Sequence, residues 1–135
     1  MSYHILVIDD EPALGSFLAL YLSRQGFLVT TTTRGADGLR LLDEYHFHLV
    51  VLDVVLIDCD GLEILSEIKK VHPALPVLML TGLGYNADAL HEAKHRGAAG
   101  YLSKTLTTPH LLLEIRRLLN PPGGNDGQEP PAVAV

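Results

Sequence analysis

Residues 49–57 read LVVLDVVLI, two apolar runs with a single carboxylate, Asp53, between them. The run before Asp53 is continuous and rich in valine and leucine. That is the pattern of a strand buried on both faces, as in a parallel sheet covered by helices. A carboxylate closing such a strand is poorly solvated unless it is paired or bound. Asp53 therefore marks a sheet and a site together.

Outward from this strand, read as His48–Asp53, the same alternation repeats. Strands are expected at His4–Ile8, Phe27–Thr33, Pro76–Leu80 and Ala99–Leu102. Helices are expected at about Pro12–Gln25, Gly35–Tyr45, from Asp60-Gly61 to before Pro73, Asn86–Arg96, and onward from Thr107 or Thr108. Gly26 and Gly97 read as helix stops, and Pro12 and Pro109 as first-turn residues. Strands alternating with helices argue for an α/β fold with a parallel sheet, and right-handed crossovers make a five-stranded doubly wound sheet the natural topology.

The 135 residues suit one domain, with 47% hydrophobic and 19% charged residues, enough apolar material for a core. Residues 1–119 read as that domain. Residues 120–135, which include NPPGGNDGQEPP, read as a disordered Pro/Gly-rich tail or linker. No second domain is expected within the chain, so the protein is either a stand-alone unit or an excised piece. One cysteine, Cys59, excludes an internal disulfide framework and a multi-cysteine zinc site. A net charge of -6 gives no general attraction to nucleic acid or anionic lipid. With no membrane span and no signal peptide in MSYHILVIDDEP, a cytoplasmic location is expected.

In an open parallel sheet the binding crevice lies beyond the carboxyl ends of the strands. There the first strand ends in Asp9 and Asp10, the third in Asp53, the fourth in Thr81 and the fifth in Ser103-Lys104. Two unit charges about 5 Å apart repel by roughly 3 kcal/mol at an effective dielectric of 20, so three carboxylates call for a cation. All-oxygen ligation favours a hard divalent ion such as Mg²⁺. Lys104 adds a positive charge and Thr81 a hydroxyl, which completes a site for a phosphoryl group. An aspartate available as nucleophile makes an aspartyl phosphate the natural product.

ILVIDDEPAL, LVVLDVVLIDCDGLEIL, VLMLTG and GAAGYLSK occur in this order. Over about residues 3–119 the chain resembles the receiver domain of two-component response regulators. The resemblance implies a flavodoxin-like (βα)5 fold with strand order 2-1-3-4-5. It implies that Asp53 accepts a phosphoryl group from a sensor histidine kinase or a histidine phosphotransfer protein. Asp9, Asp10, Asp53 and the main-chain carbonyl of Val55 would hold Mg²⁺, while Thr81 and Lys104 would contact the phosphoryl oxygens. Tyr101 would turn inward as Thr81 moves, switching the surface of the fourth helix, fifth strand and fifth helix. Through that surface, with His91, His95 and Arg96 exposed on it, a downstream protein target or a second copy would read the state. The product is a signalling phosphoacceptor rather than a dedicated enzyme, with no direct nucleic-acid binding.

Two positions depart from the family pattern. The proline usual four residues after the acceptor is Ile57, and the one usual after the lysine is Thr105, which puts a cis Lys104–Thr105 peptide in doubt. Val55 and Leu83 are apolar where receivers tune dephosphorylation, so a long-lived phosphate is expected. A phosphorylation-independent interaction module is the alternative, favoured by Ile57 and Thr105 and disfavoured by the intact Asp10, Asp53, Thr81 and Lys104. An aspartate-based phosphohydrolase would need a second acid at position 55, which is Val55. A flavin or nucleotide binder would need a Gly/Ser/Thr-rich loop where DDEPAL stands.

Other features have plainer readings. Asp58 and Asp60 read as capping or solvating the loop and third helix. His91 and His95, at i and i+4 without a third ligand, read as a solvated face. Asp58 and Asp60 disfavour a thiolate at Cys59. The fourth helix, with Ala87, Leu90 and Ala93 as its inner stripe, is the least firmly anchored.

Overall fold

The computed structural model describes residues 2–82, 87–105 and 108–120. Five strands, β1 (His4–Ile8), β2 (Leu28–Thr32), β3 (Leu49–Asp53), β4 (Val77–Thr81) and β5 (Gly100–Ser103), form one parallel sheet in the order β2-β1-β3-β4-β5. Five helices alternate with them: α1 (Pro12–Arg24), α2 (Gly35–Glu44), α3 (Gly61–Val71), α4 (Ala87–His95) and α5 (Thr108–Leu119). This is the flavodoxin-like order expected. The expectations at Leu83, Asn86, Thr107 and the tail 121–135 lie outside the described residues.

Side chains alternate across the sheet, as the period of two along a strand requires. Leu6 and Ile8 of β1, Val50 and Leu52 of β3, and Val77 and Met79 of β4 pack under α2, α3 and α4 against Leu42, Ile64, Leu65, Ile68 and Ala93. Ile5, Val7, Leu49, Val51, Leu78 and Leu80 face the other way, against Leu18 and Leu22 of α1 and Leu111 and Ile115 of α5. Each of these larger apolar side chains stabilises by about 1.5–3 kcal/mol when fully buried, so both faces of β1, β3 and β4 bind the fold together.

Gly26 and Gly97 follow the ends of α1 and α4 with φ of +98° and +104°, as helix stops do. β2 is shorter than expected, and Phe27 leaves the strand to pack in the core while the threonine-rich edge stays half-exposed. β4 and β5 begin and end one residue later than expected, and their register pairs Thr81 with Ser103.

Two expectations about α4 are corrected. Of the stripe Ala87, Leu90 and Ala93, only Ala93 is buried and Ala87 is exposed. Arg96, expected to be exposed, is half-buried. Its guanidinium folds back across α3, donating to Glu92 Oε2 (2.7 Å), the Leu62 carbonyl (3.1 Å) and Ser66 Oγ (3.1 Å). No helix among the described residues is long and apolar enough to cross a membrane.

Candidate functional site at the carboxyl edge of the sheet

Among the described residues the buried polar side chains are Asp9, Asp53 and Thr81, at 3%, 3% and 2% exposure. All three lie at the carboxyl ends of strands. The apolar strands push them there, and each follows a run with no other place for a polar group.

Asp9 leaves β1 with its backbone N–H on the Thr32 carbonyl (3.0 Å), and its Oδ1 accepts from Glu11 N–H (2.9 Å). Asp53 Oδ1 accepts from Val55 N–H (3.2 Å). The turn that follows is set by Gly61, whose N–H donates to the Val54 carbonyl (2.8 Å). Any side chain on Gly61 would collide with the carbonyl oxygens of Asp53 and Val54. Asp60 caps α3 through Leu62 N–H (2.9 Å). Asp58, expected near α3, instead caps α2.

Lys104 joins the strands. Its backbone N–H donates to the Thr81 carbonyl (2.8 Å). Its ammonium lies 2.8 Å from Asp53 Oδ2, 3.0 Å from Asp9 Oδ2 and 2.8 Å from Glu11 Oε1. Burial works to lower the lysine pKa, but the bonds to Asp53, Glu11 and Asp9 outweigh it and the ammonium is held above its ordinary value. Burial pushes the Asp53 carboxyl up, and the nearby Asp9 charge adds to this, against the opposing bonds from Lys104 and Val55.

One ammonium pairs with three carboxylates, those of Asp9, Glu11 and Asp53, and Asp10 adds a fourth acid to the edge. Asp9, Asp10 and Asp53 each offer an oxygen within 4.8 Å of the others. Asp9 Oδ2 is buried and, although close to Lys104, makes no hydrogen bond. A buried carboxylate oxygen without a hydrogen bond, in an all-oxygen cluster with excess negative charge, fits a hard divalent cation.

The structure thus brings Asp9, Asp10, Asp53, Thr81 and Lys104 to one edge. Val55 lies beside them with its side chain 52% exposed. Tyr101 packs against the α2–α4 side of the core, and its hydroxyl is buried without a hydrogen bond. The Lys104–Thr105 peptide is not cis. Burial and Asp58 hold the Cys59 thiol above its ordinary range, as an acidic setting implies. His91 and His95 are exposed. Glu11 as a partner of Lys104 was not anticipated, although its place beside Asp9-Asp10 was a usable signal.

The family model described as response regulator receiver domain matches residues 5–116. The chain is similar to the transcriptional regulatory protein GlrR of Escherichia coli, with 39% identity over 101 residues, 75% of this chain and 22% of that protein. It therefore spans under a quarter of the length of that relative. The receiver domain of NtrX from Brucella abortus superposes with a TM-score of 0.80 at 37% identity, over 85% of this chain and 97% of that one. A response regulator from Burkholderia pseudomallei, described as carrying a phosphorylated aspartic acid, calcium ion and citrate, gives a TM-score of 0.76 at 28% identity, over 82% of this chain and 64% of that one.

Proposed function

Since the chain belongs to the response regulator receiver domain family, we propose that it is a Mg²⁺-dependent phosphoacceptor whose acceptor is Asp53. The observation that carries this reading is the Asp53–Lys104–Asp9 cluster: buried acids at the strand ends, one shared ammonium and a carboxylate oxygen without a hydrogen bond.

Asp9, Asp10 and Asp53, with the Val55 main-chain carbonyl, would hold Mg²⁺. When bound, the ion supplies positive charge against the phosphoryl oxygens. In the transfer an Asp53 carboxylate oxygen attacks phosphorus, the P–N bond of a phosphohistidine breaks, and the histidine nitrogen leaves with the electron pair. Lys104 already lies on Asp53 Oδ2 and is charged at neutral pH, so it can follow the new charge onto the phosphoryl group. Thr81 would supply a hydroxyl to a second phosphoryl oxygen. Tyr101, beside β4 and α4, would follow Thr81 and bias the α4–β5–α5 surface between two arrangements.

The donor would be a sensor histidine kinase or histidine phosphotransfer protein, and the reader a downstream protein or a second copy of this chain at α4–β5–α5. The chemistry belongs in the cytoplasm, where such donors work. The phosphorylated aspartic acid described for the Burkholderia protein supports an aspartyl product on this fold. The phosphate-independent module is less well supported, because every charged group of the site is retained. A Mg²⁺ and beryllofluoride titration followed by NMR tests the reading: shifts at Asp53, Thr81 and Lys104 that vanish in Asp53→Asn support it, and no shift contradicts it.

A further inference from the structure

We propose that Asp58 is a positioning residue for the acceptor loop, tying residues 54–60 to the N-terminus of α2 and thereby setting the Val55 backbone against Asp53.

α2 begins without help from its own N-cap, because Arg34 makes no side-chain capping bond. Asp58 takes that place from the loop after β3. Its Oδ1 accepts from Gly35 N–H (3.0 Å) and its Oδ2 from Ala36 N–H (3.3 Å). Two carboxylate oxygens on two first-turn amides satisfy donors that a helix leaves unpaired, at the end where its dipole favours negative charge. The Gly35 bond, with that of Ala36, holds the Asp58 carboxyl below its ordinary range. Cys59 closes the joint. Its thiol donates to Asp58 Oδ1 (3.4 Å) and packs so near Gly35 that a Cβ there would lie 2.6 Å from the sulfur.

On its other side the same loop holds the acceptor. Leu56 N–H donates to the Cys59 carbonyl (3.2 Å), Val55 bridges Asp60, and Val55 N–H donates to Asp53 Oδ1. α2 is itself seated on β1, since Gly38 packs directly on Ile8 and leaves no room for a side chain. Asp58 therefore references the loop that starts at Asp53 to the strand that ends in Asp9 and Asp10. It touches neither the acceptor nor the acids and acts through the Val55 backbone. The consequence for metal binding rests on the receiver reading above, whereas the consequence for Val55 does not.

The test uses the full chain with Asp58→Ala, Asp58→Asn and, as a control, Leu42→Ala, which loosens α2 from the core near the end opposite to the one Asp58 caps. Two quantities are measured: amide exchange at Val55 without metal, and Mg²⁺ affinity by NMR titration. Asp58→Ala is expected to speed Val55 exchange and to weaken Mg²⁺ binding, each about tenfold, the scale on which supporting residues act at metal sites. Asp58→Asn keeps one acceptor oxygen and is expected to recover most of both. If Asp58→Ala does not fold, Asp58→Asn is compared with wild type, and a smaller change in the same direction is expected. Leu42→Ala is expected to lower Tm without a selective change at Val55. Val55 exchange no faster in the Asp58 variants than in Leu42→Ala at matched stability would overturn the proposal. Wild-type protein that binds no Mg²⁺ would defeat the receiver reading, and the exchange measurement would still decide the role of Asp58.

Discussion

The Lys104 ammonium lies 2.8 Å from Asp53 Oδ2, so the residue just past β5 neutralises the residue that ends β3, across the width of β4. The same ammonium serves Asp9 and Glu11. On the phosphoacceptor reading, it would compete with a divalent cation for the Asp9 and Asp53 oxygens.

Lys104→Ala should therefore have two effects of opposite sign. Without metal it leaves buried acids unpaired and should destabilise the fold by about 3 kcal/mol, in the range for breaking a buried pair. It should also remove a competitor for the carboxylates, so Mg²⁺ should bind the variant more tightly and restore part of the lost stability. Thermal unfolding with and without Mg²⁺ measures both. A variant that Mg²⁺ does not stabilise would show that the cluster is not a cation site.

Gly61→Ala should damage the site through the backbone. The added methyl meets the Asp53 and Val54 carbonyls, which belong to the strand end and cannot easily yield. Overpacking of this kind costs about 1–3 kcal/mol. Denaturant unfolding should show a loss near the upper end, together with a weakened Mg²⁺ response. Wild-type stability in the variant would mean that the turn is looser than described.

A pH dependence should arise at the opposite pole. His48 Nδ1 accepts from His4 N–H (2.9 Å), which requires that nitrogen to be unprotonated. Burial, and then the nearby His46 and His4, hold His48 below its ordinary 6.5. Tyr3, just before β1, packs on its ring, and the cavity beside it brings Asp43, Glu44 and His72. The unfolded chain binds this proton more readily, so the stabilising contribution is complete above pH 6.5 and lost as pH falls through the folded pKa. His48→Asn keeps an acceptor that does not titrate and should flatten the unfolding profile between pH 7 and 5. An unchanged profile would exclude His48 as its source.

Phosphate lifetime should depend on Val55, an apolar side chain 52% exposed two residues past the acceptor. An apolar group there cannot orient an attacking water, so self-hydrolysis in Mg²⁺ should be slow, and Val55→Asn should speed it several-fold. Equal decay of the two proteins would remove Val55 from that role.

Strands and site edge were legible in the sequence because burial on both faces writes itself as short apolar runs, and an acid closing such a run stands out. Asp9 and Asp53 carried that signal, and Thr81 and Lys104 were placed by lying at the ends of the neighbouring strands. Asp58 carried no such signal, because its partners at Gly35 and Ala36 are distant in sequence and a side chain bonding a backbone amide leaves no periodic trace. Arg96 was misread for a related reason: its position is a helix end, but its long stem reaches the Leu62 carbonyl on another helix. The Ala87 stripe failed because alanines at helical spacing mark a face without saying how much of it is covered.

The most direct measurement is intact mass after incubation with Mg²⁺ and acetyl phosphate, run beside Asp53→Asn. Asparagine matches the Asp53 side chain in shape and removes a charge whose burial is unfavourable, so the variant should keep the fold. Phosphoacceptor chemistry predicts one added phosphoryl group in the wild-type chain, dependent on Mg²⁺ and missing from the variant. An adduct of equal yield in Asp53→Asn, or none in the wild type while an established receiver is labelled alongside, would contradict it.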